Sequence, residues 1–374
     1  MSVLQGMSPE RFLREHWQKK PLLVRQAVPG FRGLLDRDAL LRLATRPDAV
    51  SKLVVHHARR KQRWERHDGP FGTLDTGMLP ARDWTLLVHG IESLVRGGWA
   101  LLRQFDFIPA ARVDDLMVSY AAAGGTVGPH DDRYDVFLLQ GPGRRRWRVA
   151  REYNPVPDPS AAIRVLQPFE AEDEWVLEPG DMLYLPPGVA HHGIAETECL
   201  TYSIGFLAPS RAQLVESFLG WLGNTLSLDD EALYTDPQRR PARDPLALDR
   251  GMLGFLDEAT RAIRWTPRHL EDFLGCFLTR PRPHTLFHAP AQPISEAAFA
   301  KRLGKRGRLE LSLPTRALHR GTRIFVNGQA HALDAQSHEA LLPLLRDRTL
   351  QLPARNAAPQ LLHGFYREGW LAFG

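Results

Sequence analysis

His130 and Asp132 stand one residue apart in GPHDDRYDVFLLQGPGRRRW, immediately before an apolar run with the composition of a β-strand. Side chains alternate faces along a strand, so His130 and Asp132 share one face while Asp131 turns to the other. A histidine and a carboxylate converging in this way are the short half of a 2-His-1-carboxylate set, which holds Fe(II) on one octahedral face and leaves the remaining positions open. Turn chemistry explains most isolated His-x-Asp pairs, so a metal site needs a third ligand from elsewhere in the chain. EPGDMLYLPPGVAHHG offers one: an acidic turn, an apolar strand from Met182 to Leu185, a rigid Pro-Pro-Gly turn, then His191 and His192. These neighbours face opposite ways on an extended chain, so at most one joins His130 and Asp132 easily. Position relative to the turn does not choose between them.

The run RRRWRVA adds an anion-binding group. Arg145 shares its strand face with Trp147 and Val149, whereas Arg144, Arg146 and Arg148 share the other, so Arg145 lies on the face that packs inward. A buried guanidinium requires a negative partner, and residues 136–150 contain no Asp or Glu. A carboxylate-bearing cosubstrate fits that gap, because guanidinium binds carboxylate through two parallel hydrogen bonds. Ser119, on the strand LMVSYA, can add a hydroxyl donor.

Strands must position these groups. From Leu116 onward the sequence predicts LMVSYA, VFLLQG, RRRWRVA, AIRVLQ, EWVLE, DMLYLP and CLTYSIGF, separated by Gly and Pro turns. No ten-residue helix fits between them, which excludes βαβ crossovers and points to an antiparallel barrel or sandwich. Upstream, Ser8-Pro9-Glu10 has the signature of a helix start leading to Trp17, and KKPLLVRQ reads as a short strand. At Pro209 the character changes. AQLVESFLGWLGNTLSL places Leu214, Phe218, Trp221, Leu222 and Leu226 at helical spacing, and DRGMLGFLDEATRAIRW is a second helical run. Helices this few bury little alone, so they pack on the barrel or on a second copy of themselves. Beyond Pro290, EAAFAKRLGKRG and SHEALLPLLRDR read as helices, TRIFVNGQAHAL as a hairpin turning at Asn327-Gly328, and QLLHGFYREGWLAFG as a closing helix and strand.

The chain has 374 residues, 43% hydrophobic and 24% charged, which excludes extensive disorder and suggests two or three domains. Its net charge is +5, and from Phe287 onward 12 Lys and Arg stand against 6 Asp and Glu. That surplus is compatible with an anionic partner or with a solvated basic face. Cys199 and Cys276 are the only cysteines, as expected in a reducing compartment. The start lacks a signal-peptide pattern, and no apolar run approaches the roughly 20 residues a membrane helix needs. The expectation is a soluble cytoplasmic protein without a membrane partner.

PHDDRYDVFLLQGPGRRRWRV, EPGDMLYLPPGVAHHG and YSIGF resemble the JmjC-type, cupin-fold 2-oxoglutarate oxygenases, and most closely the bacterial ribosomal oxygenases that hydroxylate an arginine of a large-subunit ribosomal protein. The resemblance implies an α+β chain: a double-stranded β-helix oxygenase domain over 1–208, a helical dimerisation domain over 209–285 and a winged-helix-like domain over 286–374. It implies Fe(II) held by His130, Asp132 and His191, with no catalytic side chain beyond these ligands. It also implies 2-oxoglutarate as cosubstrate on Ser119 and Arg145, O2 as oxidant, and a homodimer. His192 and Tyr120 depart from the family's pattern without touching a ligand position.

A substrate arginine needs an anionic or aromatic cradle. Asp115, before the strand that carries Ser119, can supply a salt bridge, and Tyr134, two residues past Asp132, a cation–π face. Three other readings compete: a non-catalytic regulator whose C-terminal module grips nucleic acid, a zinc or iron cupin acting on small molecules, and a JmjC demethylase. Direct nucleic-acid binding is left open by the sequence.

Overall fold

The computed structural model describes residues 3–57, 63–72, 76–225, 233–354 and 356–374. The first helix, α1 (Pro9–Glu15), starts as expected: the Ser8 hydroxyl accepts from the Arg11 amide at 3.2 Å, and Pro9 occupies the first turn where its missing N–H costs nothing. Strands β1 (Leu22–Val24), β2 (Val50–His56), β3 (Trp64–Asp68), β4 (Trp84–His89) and β5 (Val113–Ala121) follow, with α2 (Arg37–Ala44), α3 (Ile91–Leu94) and α4 (Gly97–Leu102) between them. Then come β6 (His130–Asp131), β7 (Asp135–Gln140), β8 (Arg145–Ala150), β9 (Asp173–Leu177), β10 (Met182–Leu185), β11 (Ala190–Ala195) and β12 (Cys199–Phe206).

Among the described residues these strands form two antiparallel sheets, ordered β1-β10-β7-β12-β5-β4-β2-β3 and β6-β11-β8-β9. Alternation along three central strands explains what each face does. Leu116, Val118 and Tyr120 of β5, Phe137 and Leu139 of β7, and Leu200, Tyr202, Ile204 and Phe206 of β12 all turn outward into one large core with α1 and α2. On the opposite face, Val136 and Leu138 of β7 meet Trp147 and Val149 of β8, closing the two sheets on each other. That inner face also carries the polar residues Ser119, Thr201 and Ser203, all buried. A barrel whose outer faces supply the cohesion can keep its lumen polar.

One expected strand is absent. AIRVLQ (162–167) makes only an isolated bridge, between Leu166 and Pro157. Its natural partner, the loop before it, carries Pro155, Pro157 and Pro159 at alternate positions, where a ladder needs N–H donors. Its apolar residues anchor a loop instead: Val165 packs on Val54 and Trp64, and Leu166 on Ala150 and Ala190. The run after the Pro-Pro-Gly turn is conversely a full strand, β11, paired with both β6 and β8.

Helix α5 (Arg211–Thr225) buries Phe218 and Leu222 against Phe273; Leu226, expected on the same stripe, lies outside the described residues. Helix α6 (Arg250–Ala262) leaves Met252, Leu253 and Leu256 at least half exposed. Helix α7 (Pro267–Thr279), placed by sequence in the helical segment, lies on the hairpin strands that follow: at Gly275 a Cβ would sit 2.3 Å from the Phe325 ring, so only glycine permits the approach. The C-terminal region adds α8 (Glu296–Leu303), β13 (Gly307–Leu311), β14 (Ala317–Arg320), β15 (Arg323–Val326), β16 (Gln329–Ala332), α9 (Ala335–Asp347), β17 (Thr349–Leu352), α10 (Pro359–Arg367) and β18 (Leu371–Phe373). Asn327-Gly328 forms the β15–β16 turn, both residues at positive φ. Phe299, Leu309, Ile324, Leu341, Leu362 and Trp370 build its separate core. Both cysteines are free and buried. Among the described residues no helix is long and apolar enough to cross a membrane.

Candidate active site

The chain enters β6 through Gly128, whose φ of +77° and contacts, with a Cβ position 2.9 Å from Val165, leave room only for glycine. This turn lets the Gly128 carbonyl accept from His130 Nδ1 at 2.9 Å. A carbonyl cannot donate, so Nδ1 carries the proton and Nε2 presents its lone pair. His191 is held in the same way by the Val189 carbonyl at 3.1 Å. The β6–β11 register pairs His191 with His130 directly, and their ring centroids lie 4.3 Å apart. Asp132 completes the group, its Oδ2 3.8 Å from His191 Nε2. One ligand atom from each of His130, Asp132 and His191 lies within 4.8 Å of the others, the sole such cluster among the described residues. Burial, aided by His130, pushes the His191 pKa down to about 4. Two neutral imidazoles with one carboxylate suit a divalent transition metal in a facial arrangement.

His192 takes the opposite face, edge-on to Phe169, and burial pushes its pKa down to about 3. Register therefore chooses between the histidines where the turn could not. Tyr120 also points away from the lumen, hydrogen-bonding Glu198 beneath the Arg37 guanidinium.

Arg145 is 3% exposed and turned inward. Its Nη1 donates to Ser119 Oγ and Thr201 Oγ1, each at 3.2 Å, its guanidinium lies 5.2 Å from the Trp147 ring centroid, and its buried Nε has no partner. No ion pair to it exists among the described residues, while its neighbours on the outer face, Arg146 and Arg148, pair with Glu174. A buried cation held by hydroxyls alone fits an incoming carboxylate. In the β8–β11 register His191 pairs with Val149 and Ala195 with Arg145, which separates the backbone positions of His191 and Arg145 by about 13 Å along the strand at ~3.3 Å per residue. An arginine side chain and a five-carbon diacid together span that distance. Between them on the same face stands Gly193, where a Cβ would come 2.7 Å from Trp147 and 2.9 Å from Arg145 Nε. Glycine is what lets Trp147 and the Arg145 side chain lie over β11 at this point.

Two of these residues escape sequence reasoning. Thr201 carries a signal, since Thr201, Ser203 and Gly205 alternate with large apolar residues in CLTYSIGF; Gly193 carries none without the register.

The expected substrate residues are close together. A Cβ at Gly205 would lie 3.5 Å from Asp115 Oδ1 and 3.7 Å from Tyr134 Cε2. Tyr134 is 38% exposed and thus open to a ligand. Asp115 is buried and already bound: His89 Nδ1 at 3.1 Å, the Gly90 amide at 3.4 Å and Arg282 Nη1 at 3.3 Å all reach its Oδ2. Burial pushes its carboxyl upward, but His89 and the Arg282 guanidinium hold it below the usual carboxylate range.

Comparison with known proteins agrees with this geometry. Residues 100–214 match the JmjC domain family, and residues 262–372 the ROXA-like winged helix. The chain is 34% identical over 330 residues to the ribosomal protein uL16 3-hydroxylase of Escherichia coli strain K12, covering 85% of this chain and 84% of that one. It superposes on the Escherichia coli ribosomal oxygenase YcfD in complex with cobalt and 2-oxoglutarate with a TM-score of 0.79, at 30% identity over 98% of each chain. The same protein with cobalt and succinic acid gives a TM-score of 0.79 at 31% identity, again over 98% of each chain. With the domain order, the cupin barrel and the relationship all in agreement, the chain belongs to the ribosomal oxygenases, the JmjC enzymes that use a metal ion and 2-oxoglutarate.

Proposed function

We propose that this enzyme hydroxylates an arginine side chain of a large-subunit ribosomal protein, uL16. The observation that carries the proposal is the alignment, on one inner face, of a His-Asp-His group with a buried arginine that lacks a carboxylate. His130, Asp132 and His191 hold Fe(II) in this scheme. Ser119, Thr201 and Arg145 take the distal carboxylate of 2-oxoglutarate, and Asp115 and Tyr134 receive the substrate guanidinium. When bound, the iron supplies O2 activation, coupling decarboxylation of 2-oxoglutarate to succinate and CO2 with transfer of one oxygen atom into a substrate C–H bond. The chain's own residues provide orientation: Arg145 fixes the diacid's far end, Gly193 gives Arg145 and Trp147 the room to lie where they do, and the packed barrel walls exclude water. Similarity to a uL16 3-hydroxylase supports the choice of substrate. The cytoplasm is then its place of work.

Ribosomes from cells lacking the gene, incubated with the enzyme, Fe(II), ascorbate and 2-oxoglutarate, should gain one oxygen on a uL16 arginine, read by mass spectrometry. A His130→Ala control should give no gain. 2-Oxoglutarate consumption without added oxygen on uL16 would move the substrate elsewhere, and release of formaldehyde would mark demethylation instead.

The chain divides in this reading into an oxygenase domain (1–208), a helical dimerisation domain (209–285) and a winged-helix-like domain (286–374). Support for the dimer comes from Val215 and Leu219 of α5 and Met252, Leu253, Phe255 and Leu256 of α6, apolar side chains that are 38–59% exposed; apolar side chains exposed in a contiguous patch mark interaction sites. A specific interface buries about 1,200–2,000 Å² in total. Light scattering on the purified protein at micromolar concentration should give twice the chain mass, and Leu253→Asp with Leu256→Asp should return it to one. A monomeric parent protein would remove the dimer.

A further inference from the structure

Asp115 is the third residue of β5, the strand that carries Ser119, and it is fixed by His89 and Gly90 from the near half of the chain and by Arg282 from the far half. Arg282, between α7 and α8, donates Nη1 to Asp115 Oδ2 at 3.3 Å. Its Nη2 reaches the Asp114 carbonyl at 2.9 Å and the Asp114 carboxylate at 3.2 Å. Arg316, also C-terminal, bonds the same Asp114 carbonyl and lies 3.6 Å from Glu92, whose other oxygen accepts the Leu116 amide at 3.0 Å. The start of this strand, at Asp114 and Asp115, is thus gripped by two arginines of the C-terminal half.

The distribution of contacts on the Asp115 carboxylate is one-sided. His89, Gly90 and Arg282 all fall on Oδ2, whereas Oδ1 faces the bare backbone of Gly205 beside the Tyr134 ring. A carboxylate torsion is broad and roughly two-fold when free. Three donors on one oxygen hold its plane and aim the other oxygen into the notch. A guanidinium entering there donates to Oδ1 while lying against the Tyr134 face. Arg282 is shared between the Asp114 carboxylate at 3.2 Å and the Asp115 carboxylate at 3.3 Å, so it neutralises neither of them alone.

We infer that Arg282 is a positioning residue for substrate recognition: through Oδ2 of Asp115 it aims Oδ1 at the substrate arginine, making the C-terminal half a working part of the active-site mouth. The inference rests on Asp115 as the acceptor of the substrate guanidinium. A spectator ion pair would look similar in the free enzyme but would not shift binding.

The test uses full-length enzyme and unmodified uL16. The uL16 Kd is measured with Co(II) and 2-oxoglutarate loaded, and KM and kcat with Fe(II). Arg282→Met should raise both Kd and KM about tenfold, as for a charged hydrogen bond held off its best direction, with kcat changed less than about threefold. Arg282→Lys should fall between, because a single ammonium cannot span Asp114 and Asp115 as the guanidinium fork does. Asp115→Asn should weaken binding at least as much as Arg282→Met. Weakened binding in Asp115→Asn with parent-like Kd in Arg282→Met overturns the positioning role alone; parent-like Kd in Asp115→Asn removes both the assignment it rests on and the role. A fall in kcat at constant KM would mark Arg282 as merely structural. Should Arg282→Met fail to fold, Arg282→Lys, which keeps charge and most of the volume, decides by the same Kd.

Discussion

His191→Ala loses the metal. With one imidazole and one carboxylate left, the affinity for Co(II), followed by its visible absorption, falls by more than about 100-fold, since losing even an outer partner of a ligand costs 10- to 100-fold. Succinate formation from 2-oxoglutarate disappears with it. The substitution also frees the Val189 carbonyl that His191 Nδ1 now reaches at 3.1 Å, so some stability is lost, about 1–3 kcal/mol for a buried polar group left without its partner. The matched variant separates the two effects. His192→Ala alters the next residue of β11, on the opposite face against Phe169, and should keep both cobalt binding and turnover. Parent-like cobalt affinity in His191→Ala would take this residue out of the metal site. Equal loss in His192→Ala would reduce the result to damage of the strand.

The contrast between these two histidines shows what the sequence could carry. Period-2 alternation is local, so it places His130 with Asp132, sets Arg145 inward with Trp147 and Val149, and separates His191 from His192. It does not say which of the last pair faces the lumen. That depends on the β6–β11 register, a pairing between residues some sixty positions apart. Resemblance to a family supplied the choice before the fold did. The same limit explains Thr201, which meets Arg145 across 56 residues, and Arg282, which meets Asp115 across 167. Neither lies in a motif, and each acts through a contact that exists only after folding. AIRVLQ fails for the opposite reason: its own pattern is that of a strand, but a strand needs a donor-bearing neighbour, and the proline-studded loop beside it is not one. Helix boundaries fared better because caps are local chemistry, as Ser8 and Pro9 show.

Arg145→Met weakens 2-oxoglutarate binding by a factor of roughly thirty to several thousand, the equivalent of about 2–5 kcal/mol for removing one partner of a buried, hydrogen-bonded charge pair. Methionine replaces most of the buried volume without the charge, and it ends the oddity of a buried guanidinium answered only by Ser119 and Thr201 at 3.2 Å. The free protein should therefore unfold at the same temperature or higher, because an unpaired buried cation destabilises the empty barrel. Opposite signs for cosubstrate affinity and apo stability are the signature of a residue kept for its ligand rather than for the fold. Titration of 2-oxoglutarate into Co(II)-loaded protein, with thermal unfolding of both forms, reads the two quantities separately. A Gly193→Val companion should weaken cosubstrate binding by pushing Arg145 and Trp147 aside, since its Cβ would come within 2.9 Å of Arg145 Nε and 2.7 Å of the Trp147 ring. If Arg145→Met kept parent-like 2-oxoglutarate affinity and melted early, the arginine would be a structural pin. The carboxylate would then have to dock elsewhere on the inner face, with the paired hydroxyls of Ser119 and Thr201 the remaining donors beside it.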